Sequence, residues 1–134
     1  MSRDLKDILF IVFDVETTSL YDFSGRIVEI GAVKFDLPGR ICEEFSALIN
    51  PQIPIPEAVI KVHGITNEMV KNERGAKEVL EDFLRFIDSS DIIMIAHNAS
   101  FDIGFVSNDL SRCGLSIPQN KVVDTVSLAK KVFP

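Results

Sequence analysis

A chain of 134 residues with 46% apolar and 25% charged side chains has enough material for one domain with a real core and too little for two. Its net charge of −6 argues against a protein that grips duplex DNA through a broad basic surface, though not against one that holds a nucleic-acid end through metal ions. No apolar run approaches a membrane span, and the polar start leads into a short apolar run that ends in an acid, unlike a signal peptide; Cys42 and Cys113 stand far apart outside any C-x-x-C pair, so a zinc or redox motif is not expected and a cytoplasmic location is.

Ile8 to Phe13 is an unbroken apolar run, β-branched or aromatic except for Leu9 and too short for a typical helix. It predicts a strand buried on both faces that stops on Asp14. A polar loop, Tyr21 to Gly25, leads to a second strand from Arg26 to Phe35. Leu37-Pro38-Gly39-Arg40 reads as a tight turn, and Ile41 to Ile49 as a third strand closing an antiparallel meander. Three prolines keep Asn50 to Glu57 extended, and a short helix over Glu57 to Val62 stops at His63-Gly64. Thr66 is placed to cap another short helix through Val70. Ala76 to Ile87 is predicted as the longer helix: Val79, Leu80, Phe83, Leu84 and Ile87 keep helical spacing opposite Glu78, Glu81, Asp82 and Arg85. Asp91 to His97 repeats the buried-strand pattern, followed by a helix capped by Ser100 and ended near Gly114. Lys121 to Val123 and Asp124 to Val132 read as a last strand and helix. The expected α/β fold is a mixed sheet, three antiparallel strands and then helix-linked parallel ones, flanked by helices.

Two of these strands end in polar chemistry. Asp14 and Glu16 lie two apart, so an extended chain projects them from one face. The other strand ends at His97-Asn98, with Asp102 one helical turn further on. Sites in open α/β sheets gather at the carboxyl ends of strands. If the two strands are neighbours, three carboxylates converge, and their charge suits one or two Mg²⁺ or Mn²⁺ ions, which take oxygen ligands. Structural alternatives stand beside this: Asp14 capping a turn, Asp102 favouring a helix dipole, His97 as a hydrogen-bonded structural histidine, Asn98 and Ser100 as caps.

F-D-V-E-T-T-S-L at Phe13 to Leu20 resembles the first motif of the DEDD superfamily of 3′–5′ exonucleases. The likeness is greatest to the proofreading exonucleases of bacterial DNA polymerase III, epsilon-type or PolC-type. R-I-V-E-I-G-A-V at Arg26 to Val33, V-H-G-I-T at Val62 to Thr66, A-H-N-A-S-F-D at Ala96 to Asp102 and V-V-D-T at Val122 to Thr125 follow in the family's order. The resemblance implies a ribonuclease H-like fold in a single domain over residues 1–134, and a two-metal phosphodiester hydrolase that removes nucleotides from single-stranded or frayed 3′ DNA ends. It implies Asp14, Glu16 and Asp102 as metal ligands. Thr17 and Thr18 would meet the terminal nucleotide, Leu20, His63 and Ile65 would line its pocket, and Asn98 and Phe101 would support the site, with Asp124 close by. The implied partner is a replicative polymerase, in cis or in trans, and no membrane. An RNA-trimming exonuclease and a non-catalytic binding module of the same fold are the alternatives.

Two departures qualify the likeness. Ser19 stands where glycine is usual. The family's third motif, a histidine general base and a fourth aspartate, has no counterpart, because His63 and His97 both match earlier motifs. The chain is therefore expected to be C-terminally truncated and, as it stands, weakly active or inactive.

Overall fold

The computed structural model describes residues 7–20 and 23–133. Tyr21 and Asp22 of the expected polar loop lie outside that range. Strands β1 (Leu9–Thr17), β2 (Ile27–Asp36) and β3 (Ile41–Leu48) are followed by helices α1 (Glu57–His63), α2 (Asn67–Val70) and α3 (Ala76–Ile87). Then come β4 (Ile93–Ala96), α4 (Ala99–Arg112), β5 (Val122–Asp124) and α5 (Thr125–Val132). The sheet runs β3-β2-β1-β4-β5. The first three strands pair antiparallel, and β4 and β5 join parallel, giving the expected mixed sheet.

Strand β1 departs from expectation in two ways. It does not stop at Asp14, because pairing with β2 continues from Leu9↔Asp36 to Thr17↔Ile27 and carries both acids inside the strand. Nor is it buried on both faces. Ile11, Phe13, Val15 and Thr17 are buried, while Val12 is 40% exposed and Asp14 is exposed. The inward set packs with Ile30 and Ala32 of β2 against Val79, Leu80 and Phe83 of α3 and Phe105 and Leu110 of α4. Both long helices therefore lie on one side, and the acids stand on the other. β4 is likewise shorter than its apolar run, with Met94 and Ala96 buried and Ile93 and Ile95 half-buried.

Helix α3 has the predicted bounds. Its buried stripe centres on Phe83, whose ring lies 6.3 Å from Phe13, 5.5 Å from Phe45 and 6.4 Å from Phe86. Across the helix, Asp82 pairs with Arg74 at 2.7 Å and with Arg85. In α4 the cap is Asn98 rather than Ser100. Asn98 sits in the left-handed region (φ 63), and its N–H donates to Asp124 Oδ1 at 3.0 Å, so a tertiary bond sets the helix start where local preference pointed two residues later.

The segment between β3 and α3 has a small core of its own. Val28, Ile55, Val59, Ile65 and Val70 are buried together, with Leu20, Leu48 and Ile60 packed on them. Asn67 ties the segment by accepting from Ile55 N (2.8 Å) and donating to Ile55 O (3.2 Å). Gly64 closes α1 in the left-handed conformation (φ 77), which turns the chain sharply into Ile65. Among the described residues no helix is long and apolar enough to cross a membrane.

Candidate active site

Parallel pairing of β1 with β4 (Val12↔Ile95) places the two polar strand ends side by side. Asp14 and His97 line one open groove of about 490 Å³ over the uncovered sheet face, with Val12, Gly31, Val33 and Ser46. Asp102 reaches the same strand from the first turn of α4. It is 2% exposed, and its Oδ1 accepts from Val15 N at 3.1 Å. A buried carboxylate thus docks on the backbone between the two residues that carry the other acids.

Electrostatics register this crowding. Burial, resisted by the Val15 N–H and reinforced by Asp14 and Glu16, pushes the Asp102 carboxyl up to about 6. Half-buried Glu16 is also raised, by burial first and then by Asp14. Among the described residues no three His, Cys, Asp or Glu side chains are grouped as a ready-made ion cage. The donor chemistry nonetheless fits a hard divalent cation. All three groups are carboxylates, the oxygen ligands such an ion prefers, and burial leads the causes that raise Asp102 and Glu16.

The residues expected to meet a nucleotide are largely tied to one another. The Thr17 hydroxyl donates to Ser19 O in a short hydrogen bond. Thr18 N donates to Arg26 O at 2.8 Å, and Thr18 Oγ1 accepts from Arg26 N at 2.9 Å. These bonds follow a register shift between Glu16 and Thr17, where the ladder passes from Glu16↔Glu29 to Thr17↔Ile27. His63 bridges Thr17 O and Ile65 N, each at 3.0 Å. Leu20 is half-buried on the small core. Ile65 is 5% exposed inside that core, so it backs the pocket wall instead of forming its surface. Half-buried Phe101 packs on Phe105 at 4.9 Å. The Asn98 side chain makes no capping bond. Asp124 caps α5 through Val126 N (3.0 Å). Burial works to raise its carboxyl, and backbone N–H groups from Val126, Ala99 and Asn98 outweigh that and hold it low.

Ser19 does not take a left-handed conformation and so bears no strain of that kind. The glycine that matters here is Gly25: a Cβ there would lie 2.8 Å from Ser19 Cβ and 2.9 Å from Thr18 Oγ1. Gly25→Ala is expected to displace the Thr18–Ser19 turn and destabilise the fold by about 1–3 kcal/mol, as overpacking does. A urea midpoint equal to the parent's would show that the turn yields freely.

Sequence reasoning did not single out Asp109. It is 2% exposed, with Oδ2 accepting from Ile27 N at 2.9 Å and Oδ1 lying 2.9 Å from Arg112 Nη1. Burial raises its carboxyl against the Ile27 N–H and the Arg112 and Arg26 charges. Its work is to fix the end of α4 to the start of β2. A polar residue recurring on the apolar stripe of α4 was the available signal.

The chain is similar to known proteins over most of its length. The RNase_T family model, described as an exonuclease, matches residues 11–134. The DNA polymerase III subunit epsilon of Treponema pallidum is 44% identical over 127 residues, covering 95% of this chain and 58% of that protein. The PolC-type DNA polymerase III of Halalkalibacterium halodurans is 38% identical over 130 residues, covering 97% of this chain and 9% of that protein. The chain thus spans under two thirds of the first relative and about a tenth of the second. Among solved structures, exonuclease X in complex with 5′ overhanging duplex DNA superposes with a TM-score of 0.70 at 27% identity, over 93% of this chain and 64% of that one. E. coli exonuclease I in complex with a dA16 oligonucleotide gives a TM-score of 0.85 at 14% identity, over 95% of this chain and 30% of that one, a likeness of fold. The chain belongs to the exonuclease family, as a ribonuclease H-like domain related to the epsilon and PolC-type proteins of DNA polymerase III.

Proposed function

We propose that this chain is a 3′–5′ exonuclease domain that trims single-stranded or frayed 3′ DNA ends for a replicative DNA polymerase, joined in cis or in trans. The observation that carries the reading is the buried Asp102 carboxylate docked on Val15 N, between Asp14 and Glu16. Burying a charge beside two like charges is unfavourable unless something offsets it. Asp14, Glu16 and Asp102 are the residues that would hold divalent cations, Mg²⁺ or Mn²⁺. Bound there, such ions supply an activated water and stabilise charge on the phosphate and the departing oxygen.

The chain's own residues do the rest. The open groove gives a strand end access to Asp14. The clamped Thr17–Thr18 turn fixes where Glu16 stands. A single-stranded or frayed end is what such a site would take, and mispaired termini fray more readily. His63 is not free to take a proton from water in the manner of a general base. His63 has both ring nitrogens engaged, and His97 binds Thr125 Oγ1 through Nδ1 at 2.8 Å. Because the histidine of the family's third motif has no counterpart in residues 1–134, these residues by themselves are expected to turn over slowly, by about 10²–10⁴ relative to a form that supplies a general base.

The test is digestion of a 5′-labelled DNA oligomer carrying a 3′ mismatch, with Mn²⁺ or Mg²⁺, beside a matched RNA oligomer. A ladder shortening one nucleotide at a time from the 3′ end, absent in Asp14→Ala and faster on DNA, is the expected result. Shortening from the 5′ end, or equal rates in Asp14→Ala, would overturn the assignment, and preference for RNA would make the chain an RNA trimmer.

A further inference from the structure

We propose that His63 is a positioning residue: a neutral imidazole, protonated on Nε2, that ties the Thr17 carbonyl in place beside Glu16 and offers substrate only its ring face. The inference rests on the nuclease reading and adds to it a role for one side chain.

The hydrogen-bond pattern fixes the tautomer. Ile65 N–H points at Nδ1 from 3.0 Å, so Nδ1 must present a lone pair. Nε2 then carries the proton and donates to Thr17 O, also at 3.0 Å. The other neutral tautomer would set donor against donor at Nδ1 and acceptor against acceptor at Nε2. An imidazolium would keep the first of those conflicts. One protonation state satisfies both contacts, and it leaves no nitrogen for a water or a phosphate.

Both ends of the tie are anchored. On the helical side, Gly64 (φ 77) folds the chain so that Ile65 N returns to the ring of its near neighbour, while the Ile65 side chain is held in the small core with Val28 and Val59. On the strand side, the tie grips one peptide unit from two directions. The Thr17 carbonyl accepts from His63, and the N–H of the same peptide, that of Thr18, donates to Arg26 O at 2.8 Å. This peptide follows the register shift between Glu16 and Thr17, where the β1–β2 ladder no longer keeps regular step. His63 restores there the lateral restraint that the shifted ladder lacks, one residue from the Glu16 carboxylate. Its polar edge being engaged, the ring can meet a terminal base only through its π face, which every base accepts alike.

Three measurements on the ¹⁵N-labelled chain test this, with Mn²⁺ as the metal probe. Long-range proton–nitrogen spectra of the imidazole at neutral pH should show a bare Nδ1 and a protonated Nε2 for His63. An averaged pair, or the reverse assignment, would overturn the proposal. In His63→Ala, with the circular dichroism spectrum retained, the Thr18 amide should exchange about tenfold faster, the equivalent of one lost hydrogen bond, and Mn²⁺ should bind about 10–100-fold more weakly, as loss of an outer-shell partner typically does. His63→Gln, whose amide can still donate toward Thr17 O, should recover part of both. Unchanged Thr18 exchange in His63→Ala would refute the tie. If the parent chain binds no Mn²⁺ at all, the metal reading fails, and the imidazole spectrum and the Thr18 exchange still decide the role of His63.

Discussion

Asp102→Asn is expected to stabilise the metal-free protein while removing its ability to gain stability from Mn²⁺. The folded chain pushes this carboxyl from its ordinary 3.8 up to about 6. A group that holds its proton more tightly when folded contributes most below the unfolded pKa, and that contribution is lost as pH rises through the folded one. At pH 7.5 the charged form is therefore a standing penalty of about 3 kcal/mol, from roughly two pH units at 1.36 kcal/mol each. Asparagine occupies nearly the same volume and keeps an oxygen for Val15 N–H, so the hydrogen bond survives and the charge does not. The thermal midpoint at pH 7.5 should rise by about 10 °C, and the gap between parent and variant should close as pH falls toward 4. Added Mn²⁺ should raise the parent's midpoint and leave the variant's where it was. A variant no more stable than its parent would mean that the Asp102 charge is already balanced in the free protein, and the case for a cation at these acids would go with it.

Phe83→Ala is expected to bring the domain close to unfolding. The ring is wholly buried where strands β1 and β3 meet α3, in contact with Phe13, Phe45 and Phe86. Truncating a buried phenylalanine removes transfer free energy and leaves a cavity, about 3–5 kcal/mol together. Domains of this size have about 5–15 kcal/mol in all. Urea denaturation should show the loss as a lower midpoint with unchanged slope. A loss below about 1 kcal/mol would mean that α3 is anchored elsewhere. The two substitutions move stability in opposite directions, and only the first touches the site.

Much of the fold is legible in the amino-acid sequence. Val79, Leu80, Phe83 and Ile87 announce α3 because one stripe of a solvent-exposed helix must be apolar, and that constraint is local. The acids at 14, 16 and 102 are conspicuous because carboxylates are rarely placed beside buried strands without a purpose. What stayed hidden depends on pairing between distant segments. Ile8 to Phe13 looks like a doubly buried strand, yet both long helices pack on one side and leave Val12 in the open. The apolar run cannot announce which face is covered. The start of α4 moved from Ser100 to Asn98 because Asp124, 26 residues away, binds Asn98 N. Ile65 reads as a pocket residue by likeness, whereas its side chain fills a core built from residues 28 to 70. The hydroxyls of Thr17 and Thr18 look available in sequence and are engaged in the turn that holds them.

The excursion from Asn50 to Arg74 leaves and returns at nearly one point. Asn50 N donates to Arg74 O at 2.9 Å, and Asn50 bridges Gly75. Because its two ends already touch, doubling the length between them would add only about 0.6 kcal/mol of closure entropy. Length can therefore be added or removed within this stretch at little cost in closure entropy, so long as His63 keeps its bond to Thr17 O on the strand that bears the acids.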